Sequence, residues 1–307
     1  MSEEREKTAV VPSPIRGDED TLPKLLLRNY RVWGRQRVAL RKKRHGIWNT
    51  YTWADCYRNV EDIFRGLVEI GLNPGDRVAI LGDNGVVWFW SQLAVQARGG
   101  QVIGLNPALA ASALIPYLQL TQPKLILARD QEQVDKLLEI EKDIPYVQRI
   151  LYWDEKGLRH YQNPRLLSLA TVIDKGLKSP LAGSVTLEES VFQTITDDTA
   201  LIVYRVKLDG LPEEVPATHR FLISAAQTII VHNPVGPHHE YTALVYPGWL
   251  FEQVLGYGVS LITGQRLNFA ETVETVFSDF REISPHTMTY SAHLWEALAA
   301  AIQANMA

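Results

Sequence analysis

Between residues 37 and 153 the chain alternates short β-rich runs with helical patterns, and this alternation constrains the fold most. Arg77, Val78, Ala79, Ile80 and Leu81 form one apolar run bounded by a glycine turn, and 102–105, 124–128 and 147–153 form three more. Between them, 86–97, 109–120 (with Pro116 inside) and 132–142 carry helical patterns. Strand–helix–strand repetition of this kind predicts a mostly parallel sheet covered by helices on both faces. Upstream, 37–41 and 47–52 read as two strands about a turn at His45-Gly46, with Arg41, Lys42, Lys43 and Arg44 expected at a solvated tip. Thr52 followed by Asp55 reads as a helix cap. Cys56, Val60, Ile63, Phe64 and Leu67 then mark one buried face, which Gly71 and Pro74 end.

The stretch 179–198 reads as a loop separating two units. The expected division is a disordered tail over 1–20, a first α/β subdomain over 21–180 and a second, incomplete one over 199–307. In the second, 200–206 and 242–246 read as strands. Residues 218–230, a segment from about 250, 272–283 and 292–305 read as helices around a short stretch at 287–290.

Composition excludes several classes. The 31 Lys+Arg against 35 Asp+Glu give a formal charge of −4, which supports neither a nucleic-acid partner nor a polybasic membrane anchor. No apolar run approaches the ~20 residues that span a bilayer, and the charged start carries no secretory signal, so a cytoplasmic protein without a transmembrane segment is expected. The single cysteine, Cys56, rules out an internal disulfide and a multi-cysteine zinc site. It lies on the apolar helix face, so a buried thiol is expected. His232, His238, His239 and Glu240 do not have the spacing of helical metal ligands and read as a solvated loop. His219 reads as a capping or packing residue.

In open α/β sheets ligands bind at the carboxyl ends of strands, here the loops after Leu81, Leu105, Val206 and Tyr246. The segment from Arg205 to Thr218 follows an apolar strand and precedes a helix, where a phosphate loop belongs. Yet 205–215 holds one glycine, Gly210, and no Ser or Thr. Its two basic and three acidic residues sum to −1. A carboxylate about 4 Å from a phosphate oxygen costs roughly 1 to 4 kcal/mol, so this is a poor polyphosphate site.

The order and spacing of several stretches resemble the N-terminal part of long-chain acyl-CoA synthetases (fatty acid–CoA ligases) of the acyl-adenylate-forming superfamily. They include Thr21-Leu22-Pro23-Lys24-Leu25, Tyr51-Thr52-Trp53, Gly75-Asp76-Arg77-Val78, Gly82-Asp83-Asn84, Thr218-His219-Arg220, Phe251-Glu252-Gln253 and Leu294-Trp295-Glu296. The resemblance implies a partial acyl-adenylate-forming domain of α/β class, with two mostly parallel sheets flanked by helices. It also implies ATP, Mg²⁺ and CoA as the family's cofactors, with a fatty-acid carboxylate attacking the α-phosphate and CoA thiolate then attacking the acyl-adenylate.

Against the family's phosphate loop, approximately Y-T-S-G-T-T-G-x-P-K-G-V, Tyr204, Gly210, Pro212 and Val215 match. The hydroxyls, first glycine and lysine-glycine pair are replaced. Tyr204, Gly210, Pro212 and Thr218 are thus the expected vestige of a cofactor site. Trp249 takes the place of a family histidine, and Tyr290 that of a glycine near the acyl tunnel, which it is expected to crowd. No catalytic residue, no metal ligand and no cofactor are expected for this chain by itself. The expectation is a truncated, catalytically incompetent homologue. The alternatives are one half of a split synthetase, or an acyl/CoA-binding or protein-interaction module. A homodimer or partner chain is expected to cover the incomplete face.

Overall fold

The computed structural model describes residues 17–179, 185–272, 275–290 and 292–306. The expected tail lies outside the described residues except for 17–20.

A first helix, α1 (Leu22–Trp33), precedes the hairpin β1 (Val38–Arg44) and β2 (Ile47–Thr52). Helix α2 (Trp53–Glu69) then starts on a capping box: the Thr52 hydroxyl accepts from the Asp55 N–H at 3.2 Å, and the Asp55 carboxylate accepts from the Thr52 N–H at 2.9 Å. Its apolar face is the expected one, with Cys56, Val60, Ile63, Phe64 and Leu67 all buried.

The expected alternation follows: β3 (Arg77–Leu81), α3 (Val86–Ala97), β4 (Gln101–Leu105), α4 (Ala111–Thr121), β5 (Leu125–Ala128), α5 (Gln131–Glu139) and β6 (Arg149–Tyr152). Helix α3 is buried on nearly every face, as its apolar sequence demands. The chain continues through β7 (Leu166–Ser168), α6 (Leu169–Lys178), α7 (Leu187–Gln193), β8 (Thr199–Val206), β9 (Pro212–Thr218), α8 (His219–His232) and β10 (Glu240–Thr242). A π-helix (Glu252–Gly258) runs into α9 (Val259–Thr263), and β11 (Arg266–Phe269), α10 (Val276–Ile283), β12 (Thr287–Met288) and α11 (Ala292–Met306) close the chain.

Two mixed sheets result, in the orders β7-β6-β5-β3-β4-β8-β9 and β12-β10-β11-β1-β2. Each is parallel except for one antiparallel hairpin, β8/β9 in the first and β1/β2 in the second. On β3 and β4 the pleat splits the core. Val78, Ile80 and Val102 face one buried cluster, and Ala79, Leu81 and Ile103 face another.

Several local expectations are corrected. The 179–198 stretch holds α7, which Thr186 and Glu189 start with a second capping box; 180–184 lie outside the described residues. The sheets do not divide the chain at 180–199. Strand β8 joins the sheet begun by β3, and β1 pairs with β11, Leu40 facing Leu267. The physical reason is that β4 and β1 each have an open edge that a later strand fills. The expected strand over 242–246 ends at Thr242, and 212–218, expected as loop, is strand β9. The basic run is only partly a solvated tip: Arg44, His45 and Gly46 are exposed, but the residues before them are engaged. Lys43 is buried and bonds Asp279 (2.8 Å) and Glu282 (2.6 Å), while Arg41 pairs with Glu240 (3.1 Å). Hydrogen bonding to the two carboxylates holds the Lys43 ammonium above its ordinary value.

Candidate functional site

The parallel strands β3, β4 and β8 end on one edge of the seven-stranded sheet, and the loop after β10 meets them there. This crossing is tight. A Cβ at Gly104 would lie 2.4 Å from the Gly248 Cα and 3.0 Å from the Tyr246 hydroxyl. Behind it, the Tyr204 ring meets Tyr117 edge-on at 4.8 Å, and its hydroxyl lies 3.1 Å from Thr121 Oγ1. Burial, with Tyr204 and Tyr117 close by, raises the Tyr246 phenol above its ordinary value. Burial likewise raises Tyr204.

The segment expected as a phosphate loop is a β-hairpin. Tyr204 faces Glu214, Arg205 faces Glu213 and Val206 faces Pro212. The turn closes by Lys207 N–H donating to the Leu211 carbonyl (2.9 Å) and Gly210 N–H to the Lys207 carbonyl (3.0 Å). Gly210 sits at φ +82°, the left-handed corner of a three-residue hairpin loop. Its glycine therefore has a backbone reason independent of any ligand. The Leu211 N–H donates to the Asp209 carboxylate (3.0 Å).

The acids are engaged as well. Glu214 takes both Arg77 nitrogens, at 3.0 and 3.1 Å, and Glu213 pairs with Arg205 across the ladder. Free carboxylates would repel a phosphate here. In the structure Glu213 and Glu214 are neutralised by arginines, and what a phosphate lacks here is the hydroxyls and most of the backbone donors of a phosphate loop. Three N–H groups of the turn are committed, and no hydroxyl side chain stands on it. These residues do not fit an ATP polyphosphate.

Pro212 is buried at the start of β9. Thr218 caps α8, its hydroxyl accepting from Phe221 N–H at 3.2 Å. His219 is buried next to it and accepts the Leu22 N–H at 3.2 Å, a capping role for α1; burial pushes its imidazole down to about 3. Trp249 is half-exposed beside Phe251. Tyr290 is buried edge-on between Phe280 (5.6 Å) and Trp295 (5.2 Å), away from the hairpin in sequence and in partners. The structure thus joins Tyr204, Gly210, Pro212 and Thr218 in one hairpin and leaves Trp249 and Tyr290 in separate aromatic contacts.

A polar cluster links the two sheets. Glu252, the first π-helical residue, is fully buried. It accepts from the Tyr241 hydroxyl (2.9 Å) and from Asn84 Nδ2 (3.0 Å). Asn84 also donates to the Val245 carbonyl (2.8 Å) and accepts from the Tyr257 hydroxyl (2.8 Å). Gln92 and Gln253 exchange amide bonds next to it. Burial pushes the Glu252 carboxyl up to about 8. Sequence reasoning counted Asn84 and Glu252 only as parts of matching stretches; the available signal was one acid heading an apolar helical run. Helices of π type are rare and recur at functional sites. Among the described residues no group of three or more His, Cys, Asp or Glu side chains is placed to hold a metal. No helix of the described residues is long and apolar enough to cross a membrane.

Residues 28–307 match the AMP-binding enzyme family. The chain belongs to that family. The long-chain-fatty-acid–CoA ligase ACSBG1 of Rattus norvegicus is 22% identical over 272 residues, 86% of this chain and 37% of its own length. This AMP-binding chain thus spans about 37 to 43% of the length of the curated ligases it matches over most of its own length. The anthranilate CoA ligase AuaEII, solved with anthranoyl-AMP, superposes with a TM-score of 0.75 at 16% identity, over 90% of this chain and 50% of that one. The long-chain-fatty-acid-CoA ligase FadD1 of Archaeoglobus fulgidus gives 0.71 at 13%, over 90% and 51%. These likenesses establish the shared α/β fold.

Proposed function

We propose that this AMP-binding chain carries the scaffold of a fatty acid–CoA ligase but does not itself form an acyl-adenylate. The observation behind this reading is the β8/β9 hairpin, in which the N–H groups of Lys207, Gly210 and Leu211 are committed and Glu214 and Glu213 are paired to Arg77 and Arg205. Tyr204, Gly210, Pro212 and Thr218 then act as structural remnants of a phosphate loop, and Trp249 and Tyr290 as remnants of an acyl site. The exposed Trp295 and Ile302 of α11 support a covering partner, a second copy or another chain.

The test is local. Pyrophosphate binding is measured by calorimetry on the chain and on a variant carrying Arg205→Thr, Val206→Ser, Lys207→Gly, Leu208→Thr, Asp209→Thr, Glu213→Lys and Glu214→Gly. The expected result is no saturable binding by the chain and a gain by the variant. Saturable binding lost on Lys207→Ala, or acyl-adenylate formed by the chain from ATP, Mg²⁺ and palmitate, sinks the reading.

A further inference from the structure

Four strands end the two sheets: β7 and β9 in the first, β12 and β2 in the second. Three are poor templates for further pairing. Strands β7 and β12 hold three and two residues, and β9 carries Pro212, Pro216 and the acids Glu213 and Glu214. Strand β2 has none of these guards. Its sequence, Ile47-Trp48-Asn49-Thr50-Tyr51-Thr52, is β-branched or aromatic everywhere but at Asn49 and holds no charge, proline or glycine. Its outer side is open to solvent: Asn49 and Thr50 are exposed, and Ile47 is 67% exposed.

The turn before β2 decides which backbone groups face outward. His45 and Gly46 form a two-residue hairpin loop, both at positive φ (51° and 75°), so the flanking Arg44 and Ile47 are a hydrogen-bonded pair. Bonding alternates along an antiparallel ladder. Ile47, Asn49 and Tyr51 therefore bond β1, and the N–H and C=O groups of Trp48 and Thr50 point away from it. Among the described residues no turn or loop bond occupies those groups. Thr52 is next in the outward series, but its N–H already donates to the Asp55 carboxylate at 2.9 Å.

We propose that β2 pairs antiparallel with β2 of a second copy of this chain, about a two-fold axis at Asn49, joining two five-stranded sheets into one. In this register Trp48 faces Thr50 of the second copy and the two exchange both backbone bonds; symmetry repeats the pair. Ile47 packs on Tyr51 of the second copy, and Asn49 meets its own counterpart. An axis at Thr50 would instead call on the Thr52 N–H that Asp55 holds. The basic runs of β1 do not forbid the pairing. They would lie three strand spacings apart, roughly 14 Å, beyond the screening length of about 8 Å in physiological salt. Arg41 and Lys43 are also paired within their own chain. The surface is separate from the β8/β9 hairpin and from α11, so it stands apart from the reading given above.

Sedimentation velocity of the full chain across the micromolar range reads the association, and a dimer is expected. Asn49→Lys and Asn49→Asp each set like charges opposite one another at the axis, so each should weaken the dimer at least about tenfold. Asn49 is exposed, so both variants keep the fold. Mixing the two variants sets a lysine against an aspartate and should restore the dimer. A chain that stays monomeric, a dimer indifferent to both substitutions, or variants that do not recover on mixing would each overturn the proposal.

Discussion

The Glu252 carboxyl should make stability depend on pH in a way one substitution removes. It is fully buried, and its partners are the neutral Tyr241 hydroxyl and Asn84 amide. Tyr257 joins through Asn84, and the adjoining Gln92–Gln253 pair is likewise uncharged. Among the described residues no cation bonds Glu252, and burial raises its folded pKa to about 8 from an ordinary value near 4.5. A raised folded pKa means the folded chain binds the proton more tightly than the unfolded chain. The resulting stability is complete below about pH 4.5 and drains away as pH climbs to about 8. Each pH unit removes about 1.4 kcal/mol, so the whole window is worth on the order of 3–5 kcal/mol. Glu252→Gln mimics the protonated carboxyl: its oxygen accepts from Asn84 and its amide donates to Tyr241. Urea unfolding followed by tryptophan fluorescence from pH 5 to 8.5 reads the effect. The two proteins should be similar at pH 5, with the variant more stable by several kcal/mol at pH 8. Parallel curves for the two proteins would refute the reasoning.

Three further outcomes follow from the geometry. His219→Ala orphans the Leu22 N–H and should cost about 1–3 kcal/mol in urea unfolding at pH 7, with His219→Asn recovering part of it. Because the His219 pKa is depressed in the folded state, the stability it brings is lost as pH falls from about 6.5 toward about 3, the opposite sign to Glu252. Gly210→Ala meets no neighbour within 4 Å but strains a φ of +82°, so the melting midpoint should fall by the equivalent of about 1 kcal/mol. Burial pushes the Cys56 thiol up to about 12, and a thiol reagent should label it only at the rate of unfolding.

The strands and helices of the central sheet were legible because their periodicity is strong. The strand over 77–81 and the helix over 86–97 have the bounds read from sequence. What failed was whatever depended on distant partners. Strand β9 carries Pro212, Glu213, Glu214 and Pro216, residues that discourage a strand; edge position tolerates them, and pairing with β8 imposes the conformation. Lys43 reads as solvent-facing until α10 brings Asp279 and Glu282 to it. The odd composition of 205–214 was visible in sequence, but not that its acids are cross-strand and bidentate partners of arginines. Glu252 was invisible as a site because its partners come from β10, the loop after β3 and its own π-helix.

The pairing of Leu40 with Leu267 has a consequence for the chain as it is made. The β1–β2 hairpin leaves the ribosome early, yet the strand that covers the free side of β1 follows 227 residues later. At 5–20 residues per second, that interval is roughly 10 to 45 s. Throughout it a strand carrying Leu40 offers an unpaired edge. Arg41, Lys42, Lys43 and Arg44 on the same strand then serve a second purpose, because a dense run of like charge keeps nascent edges from pairing with one another. The charges that later seat against Glu240, Asp279 and Glu282 would first act as the strand's own guard during synthesis.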